Sequence, residues 1–145
     1  MKKEAQAFLE QYEMDFVKME CKLAERQQWH DLSLSITAQM GSERVQSSGA
    51  KDKMASAKTK CIEVESEIDA QVDKLRKRHQ DVTCVLDLME KPIEYKLLHQ
   101  RYIQFKQLKT IADNFGANYD WVTTTHGRAL KSLQKILDER NSDNA

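Results

Sequence analysis

The sequence predicts an all-α chain, on two observations. Only one proline and four glycines interrupt 145 residues, of which 32% are charged; so few chain breakers in so charged a composition read as long helices. Apolar residues also recur at steps of three and four over long stretches, the period of an amphipathic helix and not of a strand. The expected architecture is a long helical hairpin or coiled coil over residues 1–90, serving as an oligomerisation arm. A C-terminal three-helix helix-turn-helix domain over residues 91–145 follows it.

The first helix is expected from about residue 3 to residue 30, where Leu9, Tyr12, Phe16, Met19 and Leu23 form a heptad-like stripe. Residues 31–49 hold five serines, Gly41 and Gly49, which predicts a loop with at most a short helical turn. Ser47 or Ser48 is the candidate cap of the next helix. That helix is expected over residues 50–89, with Cys61, Val64, Ile68, Val72, Leu75, His79, Val82, Leu86 and Met89 on one stripe. It would run roughly 60 Å against roughly 40 Å for the first. The uncovered remainder of its stripe needs either a second copy, giving a homodimer, or the C-terminal helices.

Pro92 marks the next boundary. Proline suits the first turn of a helix and restricts the residue before it, so a new helix is expected at 92 or 93, running to about 105. Leu97, Leu98, Tyr102 and Phe105 are its core candidates. A short helix over 106–115 presents Leu108, Ile111, Ala112 and Phe115 on one face. Gly116 then sits where a helix end asks for a left-handed backbone. Asn118 fits the N-cap of a third helix running to about 139, and Asp120 suits the positive end of its dipole. Val122, Ala129, Leu130, Leu133, Ile136 and Leu137 are its inward candidates.

A short helix, a glycine turn and a capped helix in this order make the geometry of a helix-turn-helix, whose second helix enters a DNA major groove. The expected base-facing residues are Asn118, Tyr119, Asp120, Thr123 and Thr124, since hydroxyls and carboxylates read base edges and threonine methyls pack on thymine. Lys109, His126, Arg128, Lys131 and Lys135 are the expected phosphate contacts. Charge agrees with this. From Lys91 onward nine Lys and Arg oppose six Asp and Glu, a net of +3, while the part before it has 14 against 17, a net of −3.

Other patterns have plainer readings. The basic run of Lys74, Arg76, Lys77 and Arg78 is a solvated helix face. Trp29 and Trp121 are packing anchors, although exposure of Trp121 would move it to the contact surface. Cys21, Cys61 and Cys84 lack ligand spacing and are expected as buried or half-buried apolar fillers. No metal-binding histidine pair, phosphate-cradling glycine loop or nucleophile elbow is present, so neither catalysis nor a cofactor is expected. Neither a membrane span nor a signal peptide is recognisable, and a cytoplasmic protein is expected.

Residues 97–133 resemble region 4 of bacterial sigma-70-type factors. The resemblance rests on Leu98-His99-Gln100-Arg101-Tyr102, on Leu108 to Gly116 with its Ile111-Ala112 core, on Val122, and on Arg128-Ala129-Leu130-Lys131-Ser132-Leu133. The stretch from Arg44 to Met54 has the form RVQSSGxxDKM. With it, the whole chain resembles small phage and prophage proteins of Gram-positive bacteria, of the autolysin-regulator (ArpU) and late-transcription activator type. The resemblance implies a sequence-specific DNA-binding regulator of phage transcription, reading promoter or operator DNA through Tyr119, Asp120, Thr123 and Thr124. Sigma factors are rich in Arg, Glu and Gln at those positions, so an ordinary −35 element is not the expected target. No counterpart of the DNA-melting regions of sigma factors is recognisable. A small terminase-like DNA-packaging subunit and a module docking on host RNA polymerase are the alternative expectations.

Overall fold

A computed structural model describes the backbone of residues 2–42 and 48–143 and the side chains of 4–36 and 52–143. It is all-α, with no strand among the described residues. Five α-helices follow in order: α1 (Lys2–Ser42), α2 (Ser48–Leu86), α3 (Pro92–Leu98), α4 (Leu108–Phe115) and α5 (Tyr119–Asp143). A π-helical turn over His99–Ile103 continues α3. None of these helices is long and apolar enough to cross a membrane.

Helix α1 does not stop at residue 30 as expected but runs on to Ser42. Serine is a mediocre helix former and not a breaker, costing about 0.5 kcal/mol against alanine. Gly49, placed in the loop by the sequence, lies inside α2, and Ser48 is the first helical residue instead of a cap. Ser47 and most of the RVQSSG stretch lie outside the described residues. At its other end α2 stops at Leu86, three residues early.

The chain forms two compact units, Met1–Asp15 with Arg76–Ala145, and Phe16–Leu75. The break expected between residues 90 and 91 does fall between two helices. The compact units divide elsewhere, because the start of α1 and the end of α2 belong with the C-terminal helices.

The first unit has a closed core. Leu9, Val82, Val85, Leu86, Leu97, Leu98, Tyr102, Ile111, Val122 and Leu133 are all within 2% of full burial. The opening of α1 is fastened there by Gln134. Its Oε1 accepts the Ala5 amide at 2.9 Å, and its Nε2 donates to Glu4 at 3.1 Å and Asp138 at 3.0 Å. Tyr12 stacks on Phe105 with ring centroids 5.8 Å apart. Asp15, fully buried, accepts a hydrogen bond from Arg78 Nε at 3.1 Å.

In the second unit α1 and α2 lie side by side and antiparallel. Lys22 meets Glu67 at 2.6 Å, while Trp29, Leu32 and Ile36 share a cavity of about 600 Å³ with Lys53, Ser56 and Ala57. Among the described residues of this unit, Ile36, Ala57, Val64 and Ile68 are the buried apolar ones. The expected stripes are only partly inward, since Leu23 and Val72 remain exposed. Leu9 and Tyr12 hold to the expected stripe, while farther along α1 Asp15, Lys22, Trp29 and Ile36, seven apart, each lie against residues of α2 within their own unit. Cys21 and Cys84 are exposed, contrary to expectation, and Cys61 is half-buried.

Candidate nucleic-acid interface

The C-terminal elements are punctuated by local backbone chemistry. Lys91 is extended (φ −92°, ψ 115°) and Pro92 opens α3, because a proline ring excludes helical geometry from the residue before it. The expected helix through Phe105 is cut short. The π turn ends at Ile103, and Phe105 takes a left-handed φ of 58°. Such a backbone costs a non-glycine residue about 1–2 kcal/mol, which the stacking of Phe105 on Tyr12 helps to offset.

Helix α4 begins at Leu108, two residues later than expected, and buries Ile111 and Ala112. It ends in a Schellman closure. Gly116 is left-handed (φ 64°, ψ 34°), its amide donates to the Asp113 carbonyl at 3.2 Å, and the Ala117 amide donates to that of Ala112 at 3.0 Å. Asn118 follows and caps α5, its Oδ1 accepting the Trp121 amide at 2.8 Å. Only Ala117 and Asn118 thus separate this turn from α5.

Helix α5 has two faces. Val122, Thr125, Ala129, Leu130, Leu133, Gln134 and Leu137 are buried. Asp120, Thr124, Arg128, Lys131 and Lys135, at steps of four, four, three and four, are all exposed. The helical period therefore brings five of the ten candidate residues onto one outward row. Tyr119 lies at the start of the helix, 54% exposed, and Lys109 is exposed on α4.

Three candidates have other engagements. His126 is not on the outward row. Its Nε2 shares a 2.8 Å hydrogen bond with the Tyr102 hydroxyl, and the two rings lie 5.8 Å apart and nearly parallel. Thr123 is half-buried and its hydroxyl donates to the Asp120 carbonyl at 2.9 Å. Asn118 spends its side-chain oxygen on the cap.

Two further side chains, Trp121 and Lys96, meet at the Phe115 ring. Trp121 is 39% exposed, with its ring edge-on to Phe115 at 5.9 Å. That exposure departs from the packing anchor expected of Trp121 and leaves part of its ring available as a candidate contact. Lys96 lies over the other partner of that pair, its ammonium 5.2 Å from the Phe115 ring centre.

Tyr102 anchors the module from beneath. Burial pushes its hydroxyl up to about 12, nearby Glu10 and Glu13 adding to the effect and Arg101 opposing it. The neutral phenol is favoured in the fold, so the contribution is complete below the unfolded value near 10 and is lost as pH rises through about 12. An alkaline titration followed by circular dichroism should lose about 2–3 kcal/mol of stability between these limits. Tyr102→Phe should flatten that slope; an unchanged slope would mean that another group governs it.

Comparison with protein-family models, curated protein sequences and solved structures finds no match to this chain.

Proposed function

We propose that residues 91–145 form a helix-turn-helix that binds double-stranded DNA, and that the protein is a non-enzymatic, sequence-specific transcription regulator of phage or prophage type. It works as a cytoplasmic homodimer, with α5 as the recognition helix. The observation that carries this reading is the outward row of α5. Asp120 and Thr124 sit at its leading end, where a helix reaches base edges, and Arg128, Lys131 and Lys135 trail behind, where phosphates pass. A rigid turn and cap fix the angle of this row against α4. Trp121 adds an apolar surface beside Thr124, suited to thymine methyls.

Fluorescence anisotropy on upstream DNA from the protein's own genomic neighbourhood, across a salt series, tests the reading. Thr124→Ala should cost roughly 1–3 kcal/mol of affinity on the preferred sequence and little on random DNA. Arg128→Ala should weaken both and lower the salt slope by about one. Binding without sequence preference at every salt concentration would refute the proposal.

A further inference from the structure

The first unit carries a second feature that the DNA reading does not use. A cavity of about 870 Å³ lies between the α2–α3 connection, the start of α3 and the last turns of α5. That volume is within the range of ligand-sized clefts. Leu88, Met89 and Ile136 give it apolar walls, and Leu88 is 58% exposed.

Its charge is lopsided. Glu90, Glu94, Glu139 and Asp143 line it, against Lys91, Lys135 and Arg140. Arg140 is already matched outside the cavity by Asp81 at 2.6 Å, which leaves four carboxylates facing two cations. Glu94 is the unusual member. It is only 6% exposed, and its Oε2 has no hydrogen-bond partner among the described residues. The nearest cation, Lys91, stands 3.9 Å from Oε1 on a side chain that is itself 75% exposed. A buried carboxylate normally has its partners, and Glu94, a lining residue of the cleft, has only Lys91 at the limit of ion-pair range.

We propose that this cleft is a docking site for an amphipathic, arginine-bearing helix of a partner protein. Apolar side chains of that helix rest on Leu88, Met89 and Ile136, and a guanidinium displaces Lys91 to reach Glu94. Arginine fits better than lysine, because its planar fork carries donors for both oxygens of one carboxylate once the Glu94 side chain turns toward the cleft. Glu90, Glu139 and Asp143 form a rim that favours a basic segment and repels an acidic one. The site is independent of the DNA reading, with Lys135 the one residue common to both.

Two synthetic helical peptides of about 16 residues, alike except for arginine or glutamine at the central position, test this on the full chain by calorimetry and amide chemical shifts. The arginine peptide should bind with shifts concentrated at Leu88, Glu94 and Ile136. The glutamine peptide, and the Glu94→Gln protein, should each bind at least roughly tenfold more weakly. Glu139→Lys, on the exposed rim, should also weaken binding without touching a buried group. Equal binding of both peptides, or shifts away from the cleft, would overturn the proposal. So would self-association abolished by Ile136→Glu, since a second copy would then be the occupant. DNA affinity measured on the same Glu94→Gln protein should be unchanged, which keeps failure of this site distinct from failure of the DNA reading.

Discussion

Replacing Arg78 by methionine should destabilise the protein by about 3 kcal/mol, and adding Asp15→Leu to the same chain should restore most of the loss. The asymmetry comes from burial. Asp15 has a fully buried side chain, whereas that of Arg78 is 31% exposed. Removing Arg78 takes the guanidinium from a carboxylate that cannot turn to water, which is the costly way to break a buried pair. Asp15→Leu alone should cost less, since Arg78 can swing into solvent. Replacing both partners by apolar groups of similar size often comes out near neutral. The ion pair of Lys22 with Glu67 provides the contrast. Its side chains are 33% and 50% exposed, so Glu67→Gln should change stability by less than about 1 kcal/mol. Urea unfolding of the single and double variants reads all of these. Equal losses from Arg78→Met and Glu67→Gln would show that the buried carboxylate has no special place in the packing.

That pair also shows why the front of the chain is hard to read from sequence. The apolar stripe of α1 holds at Leu9 and Tyr12, which are buried, yet beyond them the inward positions include Asp15 and Lys22, one residue before Phe16 and Leu23. A charged residue meeting its opposite across the helices can occupy an inner position, where it fixes register at some expense of stability. Polarity alone gives no sign of it. The same limit applies in α5. His126 stands four residues after buried Val122 and three before buried Ala129, so its phase is inward, but its chemistry suggested a phosphate contact. Thr125 and Gln134 were passed over in the same way. Phe105 is a different case, because its left-handed backbone answers to a ring on α1, more than ninety residues away in sequence. Short-range signals survived much better. Pro92 opening a helix, Gly116 in the left-handed region and Asn118 capping α5 each act within a few residues, and hydrogen bonds at that range are written directly in the sequence. The candidate interface is therefore legible where its residues follow from the cap and the helical period. It is illegible where a polar side chain turns inward.

The two faces of α5 give the second large effect, and it separates folding from recognition. Leu133→Ala should cost about 2–5 kcal/mol, because a fully buried leucine in a closed core loses its transfer energy and leaves a cavity behind. Its melting temperature should fall by roughly 6–16 degrees. Lys131, two residues earlier, is exposed, so Lys131→Ala should melt within about half a kcal/mol of the parent. On DNA the order should reverse. Well below its melting temperature, Leu133→Ala keeps its folded population, and the proposed reading surface of Thr124 and Arg128 is intact. It should then bind nearly as the parent does, while Lys131→Ala loses affinity at every sequence and about one unit of salt slope. Thermal melts and salt-series binding on both variants decide it. If Leu133→Ala abolished binding while still folded, recognition would depend on core packing, and the exposed row of α5 would not be the recognition surface.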